Sequence, residues 1–327
     1  PGTERLHAHL EVMDMIVPDR LKPGDTIGVF TASDPIEPPV TQWVEAGISR
    51  LKEMGFKVIE GATLTKSSYY TAGTPQERWE DFKSLITNNE VTLIMTAMGG
   101  SNAHQILELM DFELIRANPK IIMGYSNPTV LLNPIAQMSH LVTFYGFHAA
   151  SFDPDWEWFD EYDLEHFDKV LQSPVAPMEI EPSDPRESWR GGSAEGAFVG
   201  GCLQDLRNLI GTPWEPDWEG KILFLEDISN PPKLIDVDLT HLKLAGAFDQ
   251  IAGLLLGKFY ECVDAKNPHW NKPLKHLVTE VLGEYDFPIL KTNDFGHFSH
   301  MSPIPIGCRG RIDSSAKAIE ILEPCVQ

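Results

Sequence analysis

The sequence predicts an α/β fold of two domains, an N-terminal domain built on a parallel sheet and a β-rich C-terminal α/β domain. Three observations predict it. Apolar runs of strand length alternate with stretches whose apolar residues recur at helical spacing, the pattern of βαβ units. The length of 327 residues suits two domains of roughly 100–200 residues each. A Pro-rich polar stretch without apolar periodicity, Pro174 to Arg190, separates the two halves.

The first half, residues 14–173, alternates strand-like and helix-like stretches. In chain order these are a strand over 26–31, a helix over 40–54 that Gly55 ends, a strand over 56–59, a helix that begins at 74–77, a strand over 91–96 and a strand over 120–123. In an open parallel sheet, ligands bind beyond the carboxyl ends of the strands. The Gly99-Gly100 turn and the turn that contains Ser126 are therefore expected to be neighbours.

The second half, residues 191–327, follows the 174–190 stretch, which is interpreted as a linker or a substrate loop. Its predicted elements are a short helix over 203–210, a strand over 221–225, a helix over 235–244, a strand over 251–256, a helix over 274–282 and a strand over 288–290. The strand over 221–225 delivers Glu226 and Asp227 at its end.

Charge and cysteine content exclude several classes of function. The chain has 26 basic and 48 acidic residues, a formal charge of −22, so its surface repels nucleic acid and anionic membranes. Its four cysteines show neither metal-ligand spacing nor the density of a disulfide scaffold, which predicts reduced thiols and a cytoplasmic protein. No apolar run reaches membrane-spanning length. Pro1 to Glu11, with His7 and His9, is interpreted as a loose arm.

One stretch has the form of a nucleophile turn. In Lys120 to Leu132, an apolar strand meets Gly124, a single serine, Ser126, stands at the turn, and an apolar helical pattern follows. A serine there projects its hydroxyl beyond the sheet, and the next backbone N–H groups can face an oxyanion. The turn alone equally fits a structural role, in which Ser126 caps the helix.

A serine nucleophile needs a base and a group that orients the base. Glu226 follows four apolar strand residues, a costly position for a carboxylate unless it is paired or lines a cleft. His297 lies in a Gly-containing loop after the last predicted strand. Taken singly, Glu226 also fits a solvated strand end and His297 a surface histidine.

The chain resembles the LD-carboxypeptidase family of serine peptidases (peptidase family S66), and within it the microcin C self-immunity subgroup. The motifs that carry this resemblance run through almost the whole sequence in a specific order. They are Pro23 to Gly28, Met98-Gly99-Gly100, Gly124-Tyr125-Ser126, Thr143 to Gly146, Val199-Gly200-Gly201, Gly211-Thr212-Pro213, Ile222 to Asp227, Gly253 to Gly257 and Phe295 to Gly307.

The resemblance implies a Ser126–Glu226–His297 triad assembled where the two domains meet, without a metal or other cofactor. It also implies an oxyanion hole made by the backbone N–H of Asn127 and the Gly99-Gly100 turn. The implied activity is serine carboxypeptidase hydrolysis of an amide bond through an acyl-enzyme. The implied substrate is a murein LD-peptide or a microcin C-like peptidyl-nucleotide, and the implied assembly is a homodimer.

The chain departs from the family at two places. Asn127 stands where the family commonly has Asp, and the 174–190 stretch is shorter than the substrate-covering loop of the microcin-immunity members. In that stretch Trp189 is a possible stacking residue for the substrate, although it also fits packing against its own domain. A substrate carboxylate calls for an arginine or a set of backbone donors beside the nucleophile. The options in the sequence are Arg190, Arg207, Arg309 and Arg311.

Three other functions remain open from the residues alone. An α/β-hydrolase esterase shares the order Ser, acid, His, but Pro128 replaces the second Gly of the Gly-x-Ser-x-Gly elbow. A metal hydrolase would use Asp294, His297 and His300 with His148, without the His-Glu-x-x-His helix. A dinucleotide-binding protein fits the βαβ pattern but lacks Gly-x-Gly-x-x-Gly.

Overall fold

The computed structural model describes residues 14–327, so the predicted arm Pro1 to Glu11 lies outside the described residues. The strands in this part of the chain belong to one connected sheet. They are β1 Thr26–Phe30, β2 Lys57–Glu60, β3 Val91–Thr96, β4 Ile121–Gly124, β5 Thr143–Tyr145, β6 Met178–Glu179, β7 Glu187–Arg190, β8 Ser193–Cys202, β9 Ile222–Ile228, β10 Gly253–Tyr260, β11 Ile289–Lys291, β12 Ile304–Ile306, β13 Arg309–Asp313 and β14 Ala318–Ile321.

Helices connect these strands and cover the sheet. They are α1 Val40–Glu53, α2 Pro75–Thr87, α3 Phe112–Ala117, α4 Thr129–Ser139, α5 Glu161–Gln172, α6 Leu203–Leu206, α7 Pro232–Leu244 and α8 Leu274–Val281. The chemistry of the helix ends explains the predicted boundaries. Thr74 and Glu77 form a capping box at the start of α2. Gly55 adopts a φ of +95° after α1, which a residue with a side chain rarely does.

The sheet is mostly parallel, which confirms the predicted α/β class. The order of the strands is β2-β1-β3-β4-β5-β12-β8-β9-β10-β11-β7, and β13, β14 and β6 continue from β8 as an antiparallel branch. The first five strands run parallel to one another. So do β8 to β11. Because β12 comes from the end of the chain yet pairs with β5, the two halves share one sheet.

The end of β8 lies along α4, and this contact positions the site. The Cys202 N–H donates to Thr129 Oγ1 at 3.0 Å, and the Asn133 side chain bonds both the N–H and the C=O of Gly200. Cys202 is also the partner of Glu226 in the register of β8 and β9. Because α4 begins just after the Ser126 turn, this register brings Glu226 to that turn.

The prediction that residues 174–190 are irregular is wrong for two segments. β6 pairs with β14, and β7 forms the antiparallel edge of the sheet beside β11. The sequence pattern missed both strands because β6 has only two residues and β7 alternates polar and amphipathic side chains at an exposed edge. The proposed domain boundaries at 173 and 191 stay a prediction.

The four cysteines are unpaired, as expected from their spacing. Within residues 14–327, no helix is both long and apolar enough to cross a membrane.

Candidate active site

Ser126 stands between β4 and α4 with a left-handed backbone, φ +65°. Such a conformation is uncommon for a residue with a side chain and is found at functional turns. The helix-capping interpretation of Ser126 is wrong. The N-cap of α4 is Pro128 and no side chain caps it, while the Ser126 backbone C=O accepts from the Thr129 N–H and hydroxyl. In the described part of the chain, no protein group hydrogen-bonds the Ser126 hydroxyl.

The Gly99-Gly100 turn lies directly against Ser126, as the order of the strands predicts. A Cβ atom at Gly99 would come within 2.8 Å of Ser126 Cβ and 3.0 Å of Ser126 Oγ. Gly100 has φ +134°, and a Cβ there would lie 2.6 Å from Asp34 Cγ. Only glycine lets this backbone approach the serine so closely. Among residues 14–327, no group accepts a hydrogen bond from the N–H of Gly99, Gly100 or Asn127.

Glu226 and His297 form a buried pair. Glu226 Oε2 lies 2.7 Å from His297 Nδ1 and accepts the His297 backbone N–H at 2.9 Å. Glu226 is fully buried on β9, and His297 is 8% exposed in the loop of residues 292–303, called here the His297 loop. Since Glu226 occupies Nδ1, the other ring nitrogen, Nε2, is left for a different partner.

Tyr145, for which no role was predicted, connects this pair to the serine turn. Its hydroxyl accepts the Ser126 N–H at 3.1 Å and donates to Glu226 Oε1 at 2.7 Å. A tyrosine at the end of a fully buried strand, just before Gly146, was the available signal, because a buried phenol needs a hydrogen-bond partner. Glu226 therefore has hydrogen-bond partners on both oxygens.

The surroundings of His297 favour its protonated form. Burial opposes the charge, but the Glu226 carboxylate, its hydrogen bond, and the nearby Asp205 and Asp227 outweigh burial and raise the pKa of His297. Burial also raises the pKa of Asp205 to about 6 and that of Asp227 to about 7. The imidazole consequently lies in an acidic pocket that stabilises an imidazolium.

Tyr125 and His148 support the imidazole from the side. The Tyr125 ring lies edge-on to the His297 ring at 5.0 Å between centroids and stacks on the His148 ring at 4.4 Å. His148 bonds the N–H and hydroxyl of Ser151, and burial, followed by the charge of His297, lowers its pKa to about 3. A neutral His148 therefore packs against Tyr125 without adding a second positive charge.

The structure does not bring Trp189 and Arg190 to this site. They lie on β7, three strands beyond β9, or about 14 Å at the usual strand spacing. The Arg190 guanidinium donates to the backbone C=O of Leu282 and Phe287, and the Trp189 indole donates to Glu187. Both side chains make these contacts at their own edge of the sheet, and their role in substrate binding stays a prediction.

The other three arginines of the sequence analysis are also paired elsewhere. Arg207 binds Asp238, while Arg309 and Arg311 share Glu195 on the β8–β13 surface. None of them is held against Ser126 or His297. Recognition of the substrate carboxylate by an arginine or by backbone donors beside the nucleophile stays a prediction.

The metal-ligand set considered from the sequence is not assembled. His148 bonds Ser151, His297 bonds Glu226, and His300 pairs with Asp163 at 3.1 Å. Asp294 bonds Arg186 instead of a histidine. In the part of the chain described, the group of side chains that comes within metal-ligand spacing is Asp160, Asp163 and His300, a different set.

The 174–190 stretch fixes the His297 loop through Arg186. Arg186 and Asp294 are both buried, and Arg186 Nε donates to Asp294 Oδ2 at 2.7 Å. Asp294 also accepts from the N–H and hydroxyl of Ser183 and from the Thr292 hydroxyl. The stretch predicted to be a linker or a substrate loop therefore anchors the loop that carries His297.

We expect Arg186→Met to lower the free energy of unfolding by about 3–5 kcal/mol, because it leaves the Asp294 carboxylate buried without its cation. Urea denaturation followed by circular dichroism measures this change. The matched control is Arg309→Met, which removes two exposed ion pairs, with Glu195 and Glu323, and is expected to cost less than about 1 kcal/mol. Equal losses in the two variants would contradict the anchoring role.

A cavity of about 330 Å³ opens beside the His297 loop. It lies between α7 and α8 at the ends of β10 and β11, and its walls combine apolar side chains with three lysines. The lining residues are Pro232, Ile235, Lys258, Phe259, Cys262, Lys272, Leu274, Leu277, Lys291 and Asn293. Lys258 links the cavity to the site, because its ammonium donates to the backbone C=O of Phe298, the residue after His297.

Comparison with known proteins gives a consistent family. Residues 27–146 match the LD-carboxypeptidase N-terminal domain, and residues 195–312 match the LD-carboxypeptidase C-terminal domain. The chain is 32% identical to the microcin C7 self-immunity protein MccF of Escherichia coli, over 92% of this chain and 94% of that protein. It is 33% identical to a probable murein peptide carboxypeptidase of Bacillus subtilis, over 93% of each.

Solved structures of proteins with a similar fold agree with these sequence matches. The microcin C7 self-immunity protein MccF in complex with aspartyl sulfamoyl adenosine superposes with a TM-score of 0.86 at 30% identity, over 95% of this chain and all of that one. An MccF-like protein from Bacillus anthracis gives a TM-score of 0.83 at 28% identity, over 94% and 99% of the two chains. The chain thus belongs to the LD-carboxypeptidase family, peptidase family S66, and is a carboxypeptidase.

Proposed function

We propose that this carboxypeptidase is a serine peptidase in which Ser126 is the nucleophile, His297 the general base and Glu226 the acid that orients the base. The observation that carries the proposal is the hydrogen-bond chain from the Ser126 N–H through Tyr145 to Glu226 and on to His297. With Nδ1 held by Glu226, Nε2 is the ring nitrogen available to take the Ser126 proton.

The mechanism follows from where charge develops. Ser126 Oγ attacks the amide carbonyl while His297 takes its proton, and the resulting imidazolium is stabilised by Glu226. The carbonyl oxygen becomes an oxyanion that the N–H groups of Asn127 and of the Gly99-Gly100 turn bind. His297 then protonates the leaving amine, and an acyl-enzyme remains. A water that loses its proton to His297 hydrolyses this ester and frees the serine.

The lysine-lined cavity supports an anionic substrate. Lys258 and Lys291 stand at the ends of β10 and β11, next to the His297 loop, in a chain whose net charge is −22. Burial lowers the pKa of Lys291 to about 8, so at neutral pH it is still mostly protonated. Ammonium groups beside apolar walls suit a phosphate or carboxylate attached to a larger apolar group.

This chemistry favours a peptidyl-nucleotide over a murein LD-peptide. A terminal D-amino acid brings a carboxylate but little apolar surface, whereas a nucleotide brings a phosphate and an aromatic base. Rings that can face a base lie around the loop. Trp156 stacks on Phe298 at 5.9 Å with an interplanar angle of 10°, and Tyr260 lies 4.5 Å from Phe298. The relative bound to aspartyl sulfamoyl adenosine has an acyl-nucleoside analogue as its ligand.

The test is to incubate the purified protein with an aminoacyl sulfamoyl adenosine or a processed peptidyl-adenylate, and separately with a murein LD-tetrapeptide, and to identify the products by mass spectrometry. We expect cleavage of the amide in the nucleotide substrate. Lys258→Met is expected to raise KM for that substrate about tenfold, the effect of one charge-assisted contact. Release of D-alanine from the tetrapeptide alone would assign the enzyme to murein peptides instead.

The homodimer and the cytoplasmic location expected from the sequence stay predictions. Sedimentation velocity of the purified protein measures the first, and cell fractionation the second.

A further inference from the structure

We infer that the side chain of Asn127, held by Asp205, is a positioning group. It holds the two parts of the oxyanion hole, the Asn127 N–H and the Gly99-Gly100 turn, at a fixed distance from each other. This inference rests on the proposed function, since it assigns a task to the residue after the nucleophile.

The Asn127 side chain is buried, with 1% exposure, and its polar atoms are hydrogen-bonded. Its Oδ1 accepts from the Ser33 hydroxyl at 2.8 Å and from the Ala103 N–H at 2.9 Å. Its Nδ2 donates to Asp205 Oδ1 at 2.6 Å. A single side chain therefore acts as acceptor on one side and donor on the other.

These three contacts join separate parts of the site. Ser33 follows β1, Ala103 follows the Gly99-Gly100 turn, and Asp205 lies on α6 in the second half of the chain. Because the backbone of Asn127 supplies one oxyanion donor and the turn before Ala103 supplies the other, the amide sets the distance between them. The hydrogen bond from the Asn127 amide to Asp205 then fixes both oxyanion donors relative to the half of the chain that carries Glu226 and His297.

Only an amide satisfies this arrangement while Asp205 is a carboxylate. An aspartate at position 127 accepts from Ser33 and Ala103 but has no proton for Asp205. Two buried carboxyl groups would then face each other at about 2.6 Å, so they must share a proton or move apart. Movement displaces the Asn127 N–H from the oxyanion, and a displacement of about 1 Å costs on the order of a hundredfold in rate.

The experiment uses three variants of the whole chain: Asn127→Asp, Asp205→Asn, and the two combined. In the combined variant, the aspartate accepts from Ser33, Ala103 and the new amide of residue 205, so every hydrogen bond forms again, with the bond between 127 and 205 reversed in direction. We expect Asn127→Asp to lower kcat about 10- to 100-fold with a smaller change in KM, because the oxyanion contact forms in the transition state. The combined variant is expected to recover most of that loss.

A matched control separates positioning from folding. Ser314, just after β13 and also buried, donates to the C=O of Ile289 at the start of β11 at 2.8 Å. Ser314→Ala is expected to lower thermal stability while keeping kcat close to that of the wild type. Should Asn127→Asp fail to fold, the combined variant still tests the inference, since it is expected to fold and to be active, and a combined variant that also fails to fold overturns it. Asp205→Asn keeps an amide oxygen that accepts from Asn127 and is expected to stay close to the wild type.

A second measurement distinguishes failure of this inference from failure of the proposed function. The rate of Ser126 modification by a fluorophosphonate also depends on the oxyanion hole, and it needs no substrate. Absence of labelling in the wild type overturns the proposed nucleophile. The positioning role is overturned if Asn127→Asp has the same labelling rate and the same kcat as an active wild type. It is also overturned if the combined variant recovers none of the lost kcat.

Discussion

Replacing Ser126 with alanine is expected to lower kcat by about 10⁴- to 10⁶-fold, because no acyl-enzyme forms without the hydroxyl. The fold should persist. Ser126 Oγ takes no part in capping α4, and the Tyr145 contact uses the backbone N–H, which alanine retains. Steady-state hydrolysis of the nucleotide substrate measures the loss, and circular dichroism verifies the fold.

The control for this variant is Ser139→Ala at the other end of α4. Ser139 is buried and donates to the Phe112 C=O, so its loss costs a hydrogen bond without touching the site. We expect a modest loss of stability and unchanged kcat. Activity of Ser126→Ala within tenfold of the wild type would contradict a serine nucleophile.

Glu226→Gln is expected to lower kcat by about 10²- to 10⁴-fold, the range for a triad acid whose loss disturbs the tautomer of its histidine. Glu226 accepts three hydrogen bonds, one from Tyr145 and two from His297. Glutamine replaces one acceptor oxygen with a donor NH₂ group, so either Tyr145 or His297 loses its partner. The fold is expected to remain, because the two side chains have nearly the same shape.

The pH profile of the same variant gives a second readout. His297 acts as a base only when neutral, so activity falls as pH drops through its pKa. Burial lowers that pKa, but Glu226 and the other acidic groups raise it above its usual 6.5. Removing the Glu226 charge therefore shifts the acidic limb of kcat/KM to lower pH. A limb that stays in place, or shifts upward, would contradict the pairing of Glu226 with His297.

The sequence predicted those parts of the fold that local patterns determine. α1, α2, β3 and β4 have clear apolar periods and recognisable ends, and the structure places them where the sequence did. β7 was missed because edge strands lack an apolar signature and depend on pairing with a distant strand, here β11. β12 pairs with β5 across more than 150 residues, which no local window can detect.

In the site, too, local patterns predicted some residues, while those that depend on distant contacts were missed. Ser126, Glu226 and His297 were identified from strand ends and the family resemblance, and the structure brings Glu226 and His297 together near the Ser126 turn. Tyr145 and Asp205 were missed because their roles depend on contacts 81 and 78 residues away in sequence, with Glu226 and Asn127 respectively. The position of Trp189 in the sheet was missed for the same reason, because it depends on the pairing of β7 with β11.

The most direct test of the central claim is to trap the acyl-enzyme. Wild-type protein is mixed with the nucleotide substrate, quenched in acid within milliseconds to seconds, digested, and analysed by mass spectrometry. We expect the acyl group as an ester on the peptide that contains Ser126. The acid quench preserves it, because protonated His297 can no longer take a proton from the water that hydrolyses the ester. Turnover with no adduct at any time, or an adduct on another residue, would contradict a mechanism in which Ser126 is the nucleophile.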